Sequence, residues 1–511
     1  MHDNTFMDKN IPRKMPTSAQ LPYALYTAEQ VRHFDRLSIE QYGIAGIELM
    51  QRAGQVAFDA LRKKWPTAKH VTVVTGSGNN AGDGFVVGRL AHAAGLTVEV
   101  MQLGDREKFS EDARYHADLY DQVSGDCVDF EALPKTTDII VDAILGTGLN
   151  SPVRGPWFDA IKAINRHPAA VLSLDIPSGL HADTGREMGI AVKADLTVSF
   201  IGLKQGMFTG AAKNYCGEIR FHALDIPARV YASEILSSRR IDWAKMKSLL
   251  PPRSRTAHKG DFGHVLVIGG DVGFSGAARL AAEAAARSGA GLVSVATHPA
   301  HAAVLNCACP ELMVHPLTAA ADLEGLLERA SVIVFGPGAG QSSWSEGLLH
   351  KVLASRLPLV LDADGLNLLA RQAEISRDAV TVMTPHPGEA ARLLQTTTAE
   401  IEKNRFVSVQ QLQNRFGGTF VLKGAGTLIA SGEGKTVAVC PDGNPGMASG
   451  GMGDVLSGVI AALLAQGLDA DDAACAGVAL HAAAADKAAQ QGEIGMLASD
   501  LYVYIREILN A

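Results

Sequence analysis

The sequence has little cysteine and no excess of basic side chains. Its six cysteines in 511 residues are irregularly spaced, and the close pair Cys307 and Cys309 has no second pair with which to bind zinc. This usage indicates free thiols in a reducing compartment rather than a disulfide framework. The net charge of −8 argues against nucleic acid or an anionic membrane as the main partner.

Aromatic residues and long hydrophobic runs are also scarce. The first twenty residues contain no apolar stretch of the signal-peptide kind, and the apolar run 455–465 contains Ser and Gly and is too short to span a bilayer. We therefore expect a soluble, cytoplasmic protein in which residues 1–24 form a disordered tail. The 52 glycines and 6% aromatic content suit α/β folds, in which glycine-rich turns join buried strands to helices.

The chain is long enough for more than one domain. In both halves, buried strand-like runs alternate with helical patterns, which predicts doubly wound, mainly parallel sheets. The alternation stops between about 230 and 260, where serine, arginine and proline pairs occur. We predict an α/β protein with a Rossmann-like domain at 25–235, a linker at 236–244 and a second α/β domain at 245–511, and two soluble fragments after cleavage within 235–245.

The strongest motif of the C-terminal half is 444–458, NPGMASGGMGDVLSG. Gly450, Gly451 and Gly453 precede an apolar helix, so several backbone N–H groups can converge on one point where the helix dipole adds positive potential. Asp454 lies in the first helical turn beside that point. A carboxylate there can orient a hydroxyl while the N–H groups stabilise a transferring phosphoryl group, although Asp454 could also be a simple helix cap.

Three further segments of this half follow predicted strands: 362–369 (DADGLNLL), 384–390 (TPHPGEA) and 423–427 (KGAGT). Ligands of open α/β sheets bind at the carboxyl ends of the strands, where all three segments fall. Lys423 is a candidate phosphate ligand, with an ordinary surface lysine as the alternative. His386 is a candidate ligand contact, with a packing role as the alternative.

These motifs resemble the ribokinase-like superfamily and, more narrowly, the ADP/ATP-dependent NAD(P)H-hydrate dehydratase family. The resemblance is carried by 273–297, 334–340, TPHPGEA, KGAGT and GMGDVLSG, and it covers nearly all of 245–505. It implies a ribokinase-like α/β/α domain that uses ADP or ATP as co-substrate and Mg²⁺ as cofactor. It also implies a hydrate-binding set and a nucleotide-binding set, namely Ala277, Gly338, His386 and Asp454 for the hydrate, and Lys423, Gly424, Ala425, Gly426, Thr427 and Gly453 for the nucleotide.

The N-terminal half carries GSGNNAGDG directly after a strand and before a helix predicted to start near Phe85. It formally fits a dinucleotide fingerprint, but no acidic residue ends the second strand as that fingerprint requires. The function that such a fingerprint would indicate is a Rossmann dehydrogenase, which would have to bind ordinary NAD⁺ tightly and transfer a hydride. Asn79, Asn80 and Asp83 favour instead a polar pocket that binds a ligand or a hard cation through oxygen.

Two other strand ends carry matching chemistry. Asp142 precedes the glycine-rich segment 146–156, and Asp175 begins the sequence DIPSG. Either aspartate alone could be a turn or capping residue. Three polar strand ends in one small sheet favour a shared ligand site.

These residues resemble the NAD(P)H-hydrate epimerase family over about 24–225, with NNAGD where the family pattern reads NNGGD. The resemblance implies a potassium ion among Asn80, Asp142 and Ser178. It implies a hydrate site made of two glycine-rich segments and one strand end, namely Asn79, Asn80, Ala81, Gly82, Asp83, Gly146, Thr147, Gly148, Leu149, Asn150, Ser151, Pro152 and Asp175.

Fusion of these two domains is a known arrangement, so the whole chain resembles bifunctional nicotinamide-nucleotide repair enzymes. The resemblance implies that the chain epimerises the R and S hydrates NADHX and NADPHX and dehydrates the S epimer with ADP or ATP. Asp454 is the predicted catalytic base of dehydration and Asp175 the candidate acid/base of epimerisation. We expect a homo-oligomer. The alternative is a vitamin or sugar kinase fused to an unrelated isomerase or nucleotide-sensing domain, which would release a stable phosphorylated product.

Overall fold

The computed structural model describes residues 21–124, 127–372, 379–432 and 434–511, which form two sheets flanked by helices. Most strand pairs are parallel, and the predicted two-domain α/β class is confirmed. Of the predicted disordered tail, residues 1–20 lie outside the described residues. None of the helices formed by the described residues combines the length and the apolar character needed to cross a bilayer.

The elements of the N-terminal half are, in chain order, β1 (Ala24–Leu25), α1 (Ala28–Glu40), α2 (Gly46–Lys64), β2 (His70–Thr75), α3 (Asn79–Ala93), β3 (Thr97–Gln102), α4 (Glu111–Ser124), β4 (Val128–Asp129), β5 (Ile139–Ala143), α5 (Pro156–Arg166), β6 (Ala170–Leu174), β7 (Leu196–Phe200), β8 (Glu218–His222) and α6 (Ala228–Tyr231).

The N-terminal sheet contains seven parallel strands in the order β4-β3-β2-β5-β6-β7-β8. Strands β5 and β7 are buried along their whole length, as is typical of inner strands in a parallel sheet. The order changes direction between β2 and β5. Chains leaving these two strands therefore diverge, and a crevice opens at their carboxyl ends.

Helix α3 begins at Asn79, not near Phe85 as predicted, so residues 79–84 of the glycine-rich motif lie inside the helix. The glycines serve close packing rather than a loop. A Cβ on Gly82 would lie 2.2 Å from the sulfur of Met50, and one on Gly84 would lie 2.6 Å from the Cβ of Ala143. The helix thereby approaches both α2 and the sheet, and it delivers the amides of the motif to the crevice.

The elements of the C-terminal half are, in chain order, β9 (Ser238–Arg240), α7 (Trp243–Met246), β10 (His264–Ile268), α8 (Ser275–Arg287), β11 (Leu292–Thr297), α9 (Pro299–Ala302), β12 (Met313–Pro316), α10 (Glu324–Leu327), β13 (Val332–Phe335), α11 (Ser343–Ala354), β14 (Leu359–Leu361), α12 (Asp364–Leu369), β15 (Thr381–Met383), α13 (Pro387–Leu394), α14 (Thr398–Lys403), α15 (Arg405–Phe416), β16 (Thr419–Leu422), β17 (Thr427–Ser431), β18 (Val437–Cys440), α16 (Met452–Ala465), α17 (Ala470–Ala488) and α18 (Leu501–Leu509).

The C-terminal sheet has eleven strands in the order β1-β9-β18-β17-β16-β15-β14-β13-β10-β11-β12. Strands β10 to β16 are parallel, and β17 and β18 form an antiparallel hairpin. Apolar side chains of α8, α16 and α17 cover one face, and those of α11, α13 and α15 cover the other. The order changes direction between β10 and β13, which opens a second crevice.

The segment predicted as a linker, 236–244, contributes a strand to the C-terminal sheet. Strand β9 pairs with β18, and β1 pairs with β9, so residues from the start of the chain lie at the edge of the second domain. The Arg240 guanidinium donates hydrogen bonds to the carbonyls of Pro22 and Leu21 at 3.1 and 2.7 Å. Cleavage within 235–245 would separate β1 or β9 from this sheet. We therefore no longer expect it to release two intact domains.

Strand β8 and helix α18 were not anticipated from the sequence. Strand β8 reads EIRFH and is half-buried throughout, because it is an edge strand exposed to solvent on one side. It therefore lacks the continuous apolar run that marks the inner strands. Helix α18 buries Leu501, Tyr502 and Ile505 against the core.

Candidate active sites

Asp142 forms the centre of the N-terminal crevice. It is completely buried near the end of β5, and its carboxylate accepts hydrogen bonds from the Ser173 hydroxyl at 2.7 Å and from the Ser178 amide and hydroxyl at 2.9 and 2.5 Å. Burial raises the pKa of Asp142 above its ordinary value, although the Ser178 and Ser173 hydrogen bonds oppose the rise. The predicted pair Asp142 and Ser178 is thus brought into direct contact.

Asn80 lies beside this pair in the first turn of α3. Its Nδ2 donates to the Leu145 carbonyl at 3.4 Å, and the same carbonyl accepts from the Ser178 hydroxyl at 3.1 Å. The Asn80 Oδ1 is buried and has no hydrogen-bond partner among the described residues. An unpartnered amide oxygen next to a buried carboxylate, a hydroxyl and a carbonyl fits a hard cation, which would satisfy it.

A second group of charges surrounds Asp175. This residue follows β6 with φ = 64°, a left-handed conformation that is strained for a residue with a Cβ. Its carboxylate contacts the Lys204 ammonium and accepts from the Phe200 amide at 3.1 Å. Lys204 is completely buried, and its ammonium also donates to the Ser199 hydroxyl at 3.1 Å.

Three groups of this cluster have strongly shifted pKa values. Burial lowers the pKa of Lys204, and the Asp175 charge only partly restores it. Burial, followed by the charges of Asp175 and Asp35, raises the pKa of Asp83 well above its ordinary value. Burial also raises the pKa of Asp35 to about 6, with help from Asp112 and Asp175. A carboxyl group with a pKa of about 6, such as that of Asp35, can exchange protons near neutral pH, as general acid–base chemistry requires.

Sequence reasoning missed Lys204 and Asp35. Lys204 follows β7 in the sequence LTVSFIGLK, and a lysine this close to a buried strand end is a usable signal. Asp35 lies on the side of α1 that also carries the buried Val31, Phe34 and Ser38. A carboxylate on an apolar helix face is the corresponding signal there.

The other predicted residues of this site divide into two groups. Ala81 and Gly82 are buried within α3, so only their backbone is open to a ligand. Gly146 lies next to Asn80, whereas Gly148 and 150–152 are exposed further along the same loop. A cavity of about 980 Å³ between the two halves is lined by Asn150 and by residues of α14 and α15. The charged residues around Asp175 are not part of its lining.

The C-terminal crevice contains a buried ion pair. Asp362 ends β14, is 1% exposed, and accepts hydrogen bonds from the Lys423 ammonium at 2.8 Å and the Ser457 hydroxyl at 2.6 Å. Burial alone would raise the pKa of Asp362, but the Lys423 ammonium holds it below its ordinary value. The Glu389 carboxylate lies 3.8 Å from the same ammonium. Lys423 is therefore no ordinary surface lysine.

Asp454 lies in the first turn of α16, next to this ion pair. Burial, followed by the charge of Asp362, raises the pKa of Asp454 to about 7, and Lys423 opposes the rise. Gly453 packs against Lys423, since a Cβ there would lie 3.0 Å from the ammonium. The Ser449 hydroxyl in the preceding loop is buried without a hydrogen-bond partner among the described residues. This arrangement offers a base that titrates near neutrality beside a fixed cation.

The remaining predicted hydrate contacts lie at the strand ends around this centre. His386 begins α13 by capping it, with its Nδ1 accepting from the Gly388 amide at 3.0 Å, and its ring is half-exposed. Gly338 has φ = 59°, and a Cβ there would lie 3.2 Å from the Cβ of Ala277. Gly338 and Ala277 thus meet at the second crevice, and His386 joins the Lys423 cluster through Glu389. Glu389 and Ser457 were not singled out from the sequence.

Comparison with known proteins divides the chain in the same way. A family model described as NAD(P)H-hydrate dehydratase matches 265–507, and one described as YjeF-related protein N-terminus matches 46–206. The bifunctional NAD(P)H-hydrate repair enzyme Nnr of Coxiella burnetii is 48% identical over 95% of this chain and 99% of its own length. The enzyme of that name from Escherichia coli is 43% identical over 99% and 97%.

A solved structure gives the same result for the C-terminal half. The crystal structure of a ribokinase-like superfamily protein from Enterococcus faecalis covers 54% of this chain and 97% of its own length, with 29% identity and a TM-score of 0.50.

Proposed function

The chain belongs to the family of bifunctional NAD(P)H-hydrate repair enzymes, and we propose that its two activities are divided between the two crevices. The protein epimerises the R and S hydrates of NADH and NADPH and dehydrates the S epimer to NAD(P)H with ADP or ATP as phosphoryl donor. We assign epimerisation to 25–235 and dehydration to 245–511 together with β9 and β1, which complete the second sheet.

The observation that carries the dehydratase assignment is Asp454, with a pKa near 7, beside the Lys423–Asp362 ion pair. Asp454 takes the proton of the hydrate hydroxyl as that oxygen attacks the terminal phosphorus and the P–O bond to the nucleotide breaks. The ring nitrogen lone pair then expels inorganic phosphate from the adjacent carbon. Loss of a proton from the neighbouring ring carbon restores the dihydronicotinamide.

The hydrate and the nucleotide are held by the residues predicted for them. Ala277, Gly338 and His386 contact the hydrate. Lys423 and the loop to Thr427 hold the phosphates, because a cation and glycine amides are suited to that role. Mg²⁺ bound to nucleotide phosphates needs few protein ligands, and it would neutralise phosphate charge in this site.

The epimerase assignment rests on the Asp175–Lys204 pair, which lies in the crevice with Asp83 and Asp35. A proton from this cluster assists departure of the hydroxyl while the ring nitrogen forms a double bond to the same carbon. Water then adds to the opposite face and returns the proton. Asn80, Asp142 and Ser178 would hold K⁺, which supplies a fixed positive charge near the substrate. A homo-oligomeric state and a cytoplasmic location stay predictions.

One assay tests both assignments. A mixture of R and S hydrates is given to the full chain with ADP and ATP in turn, while NADH absorbance and inorganic phosphate are followed. We expect complete recovery of NADH with one phosphate released per molecule. A stable phosphorylated product would support the vitamin or sugar kinase instead. If only the S hydrate is consumed rapidly, and the R hydrate then disappears no faster than it epimerises spontaneously, the epimerase assignment is overturned.

A further inference from the structure

The loop 423–427 of the C-terminal domain is held from outside by the N-terminal domain. The Gly210 amide donates to the Ala425 carbonyl at 2.9 Å, and the Thr209 hydroxyl donates to the Gly426 carbonyl at 2.8 Å. Gly426 has φ = 67°, and a Cβ there would lie 2.0 Å from the Phe208 carbonyl oxygen. Only glycine permits so close an approach between the two domains.

Arg405 links the same threonine to the base of the loop. Its side chain is almost completely buried, and its Nε donates to the Thr209 hydroxyl at 3.1 Å. Its terminal nitrogen donates to the carbonyls of Leu422 and Lys423, both at 3.2 Å. Thr209 therefore stands between a buried guanidinium and the loop, and its hydroxyl serves both.

These contacts set the direction of the loop amides. The carbonyls of Lys423, Ala425 and Gly426 are all engaged by Arg405, Thr209 or Gly210. In a trans peptide the N–H points opposite to the carbonyl of the same unit. The N–H groups of Gly426 and Thr427 are consequently directed away from the N-terminal domain, and that of Gly424 away from Arg405, as amides must be to receive an anion on the open side.

A further contact reaches the second glycine-rich motif. The Lys213 ammonium donates to the Gly443 carbonyl at 2.9 Å, immediately before the segment 444–458 that contains Asp454. One short N-terminal segment, 208–213, thus touches both loops that border the C-terminal crevice.

We infer that Thr209 of the epimerase domain is a positioning residue for the nucleotide loop of the dehydratase domain. The inference rests on the proposed role of 423–427 in binding ADP or ATP. The N-terminal domain then contributes to nucleotide affinity without contacting the nucleotide. The segment starts four residues after Lys204, and the hydrogen bonds of the Thr209 side chain go to the loop and to Arg405 rather than to the Asp175 cluster.

The test is Thr209→Val in the full chain, which keeps the shape of the side chain and removes its hydroxyl. Loss of this buried hydroxyl, which bonds both the loop and Arg405, should raise the KM for ADP and for ATP about five- to twentyfold, with a smaller change in kcat. Epimerisation should stay within about twofold of wild type, because the hydroxyl serves only the loop and Arg405. Thr209→Ser, which retains the hydroxyl, should restore the nucleotide KM.

Thr197→Val is the matched control. Thr197 is equally buried in the same domain and donates to the Cys216 carbonyl at 2.7 Å, which lies outside the loop 423–427. It should leave the nucleotide KM unchanged. An unchanged KM in Thr209→Val, or an equal rise in Thr197→Val, would overturn the inference.

Hydrogen exchange separates this inference from the proposed function. Addition of ADP or ATP should slow exchange in a peptide covering 422–428, and failure of both to do so would refute the nucleotide assignment itself. In the nucleotide-free protein, Thr209→Val should speed exchange of the same peptide and of 208–213. ADP could protect the loop equally in wild type and in Thr209→Val, with the same exchange rate of the loop in the two nucleotide-free proteins. In that case the nucleotide site is retained and the positioning role of Thr209 is wrong.

Discussion

Each crevice contains a buried lysine paired with an aspartate at a strand end, yet the two lysines are tuned in opposite directions. Burial lowers the pKa of both. Around Lys423 the charges of Asp362 and Glu389 outweigh burial and raise its pKa above the ordinary value. Around Lys204 the charge of Asp175 does not compensate, and its pKa stays lowered.

A lysine–aspartate pair can therefore serve either phosphate binding or acid–base catalysis, depending on its surroundings. A lysine whose charged form is favoured suits the phosphates of a nucleotide, whereas a lysine whose charged form is disfavoured is the better proton donor. The balance between burial and the neighbouring carboxylates, Asp362 and Glu389 in one crevice and Asp175 and Asp83 in the other, sets the difference. The aspartate that stands free beside each pair, Asp454 in one crevice and Asp83 in the other, has its pKa raised in both.

The largest effect is expected from Asp454→Asn, which tests the assignment of Asp454 as the general base of dehydration. We expect dehydration of the S epimer to fall about 10²- to 10⁴-fold, because the general base is lost. Binding of ADP and epimerisation should be retained. The measurement is NADH recovery from pure S hydrate, with epimerisation followed separately by chromatography of the two epimers. Turnover within about threefold of wild type would show that Asp454 is not the base.

Two substitutions of Lys204 sharpen the contrast with Lys423. Lys204→Met should lower epimerisation about 10²-fold or more while leaving dehydration of the S epimer intact. Lys204→Arg keeps the charge but cannot release its proton near neutrality, so it should also be deficient. If Lys204→Arg epimerises at the wild-type rate, Lys204 contributes only its charge and the two lysines do the same work.

The pH dependence of dehydration follows from the raised pKa of Asp454, about 7. Only the ionised carboxylate accepts a proton, so kcat/KM should rise about tenfold between pH 6 and pH 8 and then level off. The contribution of Asp454 to the free energy of unfolding changes with pH in the opposite direction. The folded state favours the protonated form, so stabilisation by this group is lost as pH rises towards 7, and Asp454→Asn should raise Tm at pH 8. A flat rate profile over this range would contradict the assignment.

The smallest expected effect concerns K⁺. Asn80→Ala removes an oxygen that has no partner among the described residues and one long hydrogen bond to the Leu145 carbonyl, so Tm should change little while the K⁺ concentration for half-maximal epimerisation rises a few-fold. Ser173→Ala is the control, because Ser173 also donates to Asp142 but is not a proposed ligand. Equal shifts in both variants would mean that Asp142, rather than a K⁺ ligand set, is being disturbed.

The inner strands and the glycine-rich motifs were predictable because they leave local signals. Strands β2, β7 and β13 belong to the predicted alternation, since each is rich in apolar and β-branched residues and is buried in a parallel sheet. Asp142, Ser178 and Asp454 were identifiable from their position at strand ends or a helix start. The start of α3 was misplaced, because Gly82 and Gly84 read locally as a loop but serve packing against α2 and the sheet.

By itself the sequence determined the alternation of inner strands and helices, the ligand sites at strand ends and the family, because these depend on residues close together in the chain. Only the tertiary structure decided which distant charges meet. Lys204 and Asp175, Lys423 and Asp362, and β1 and β9 are joined by packing that no local pattern encodes. The pKa values of the buried groups are equally tertiary, since burial and neighbouring charge exist only once the sheets have assembled.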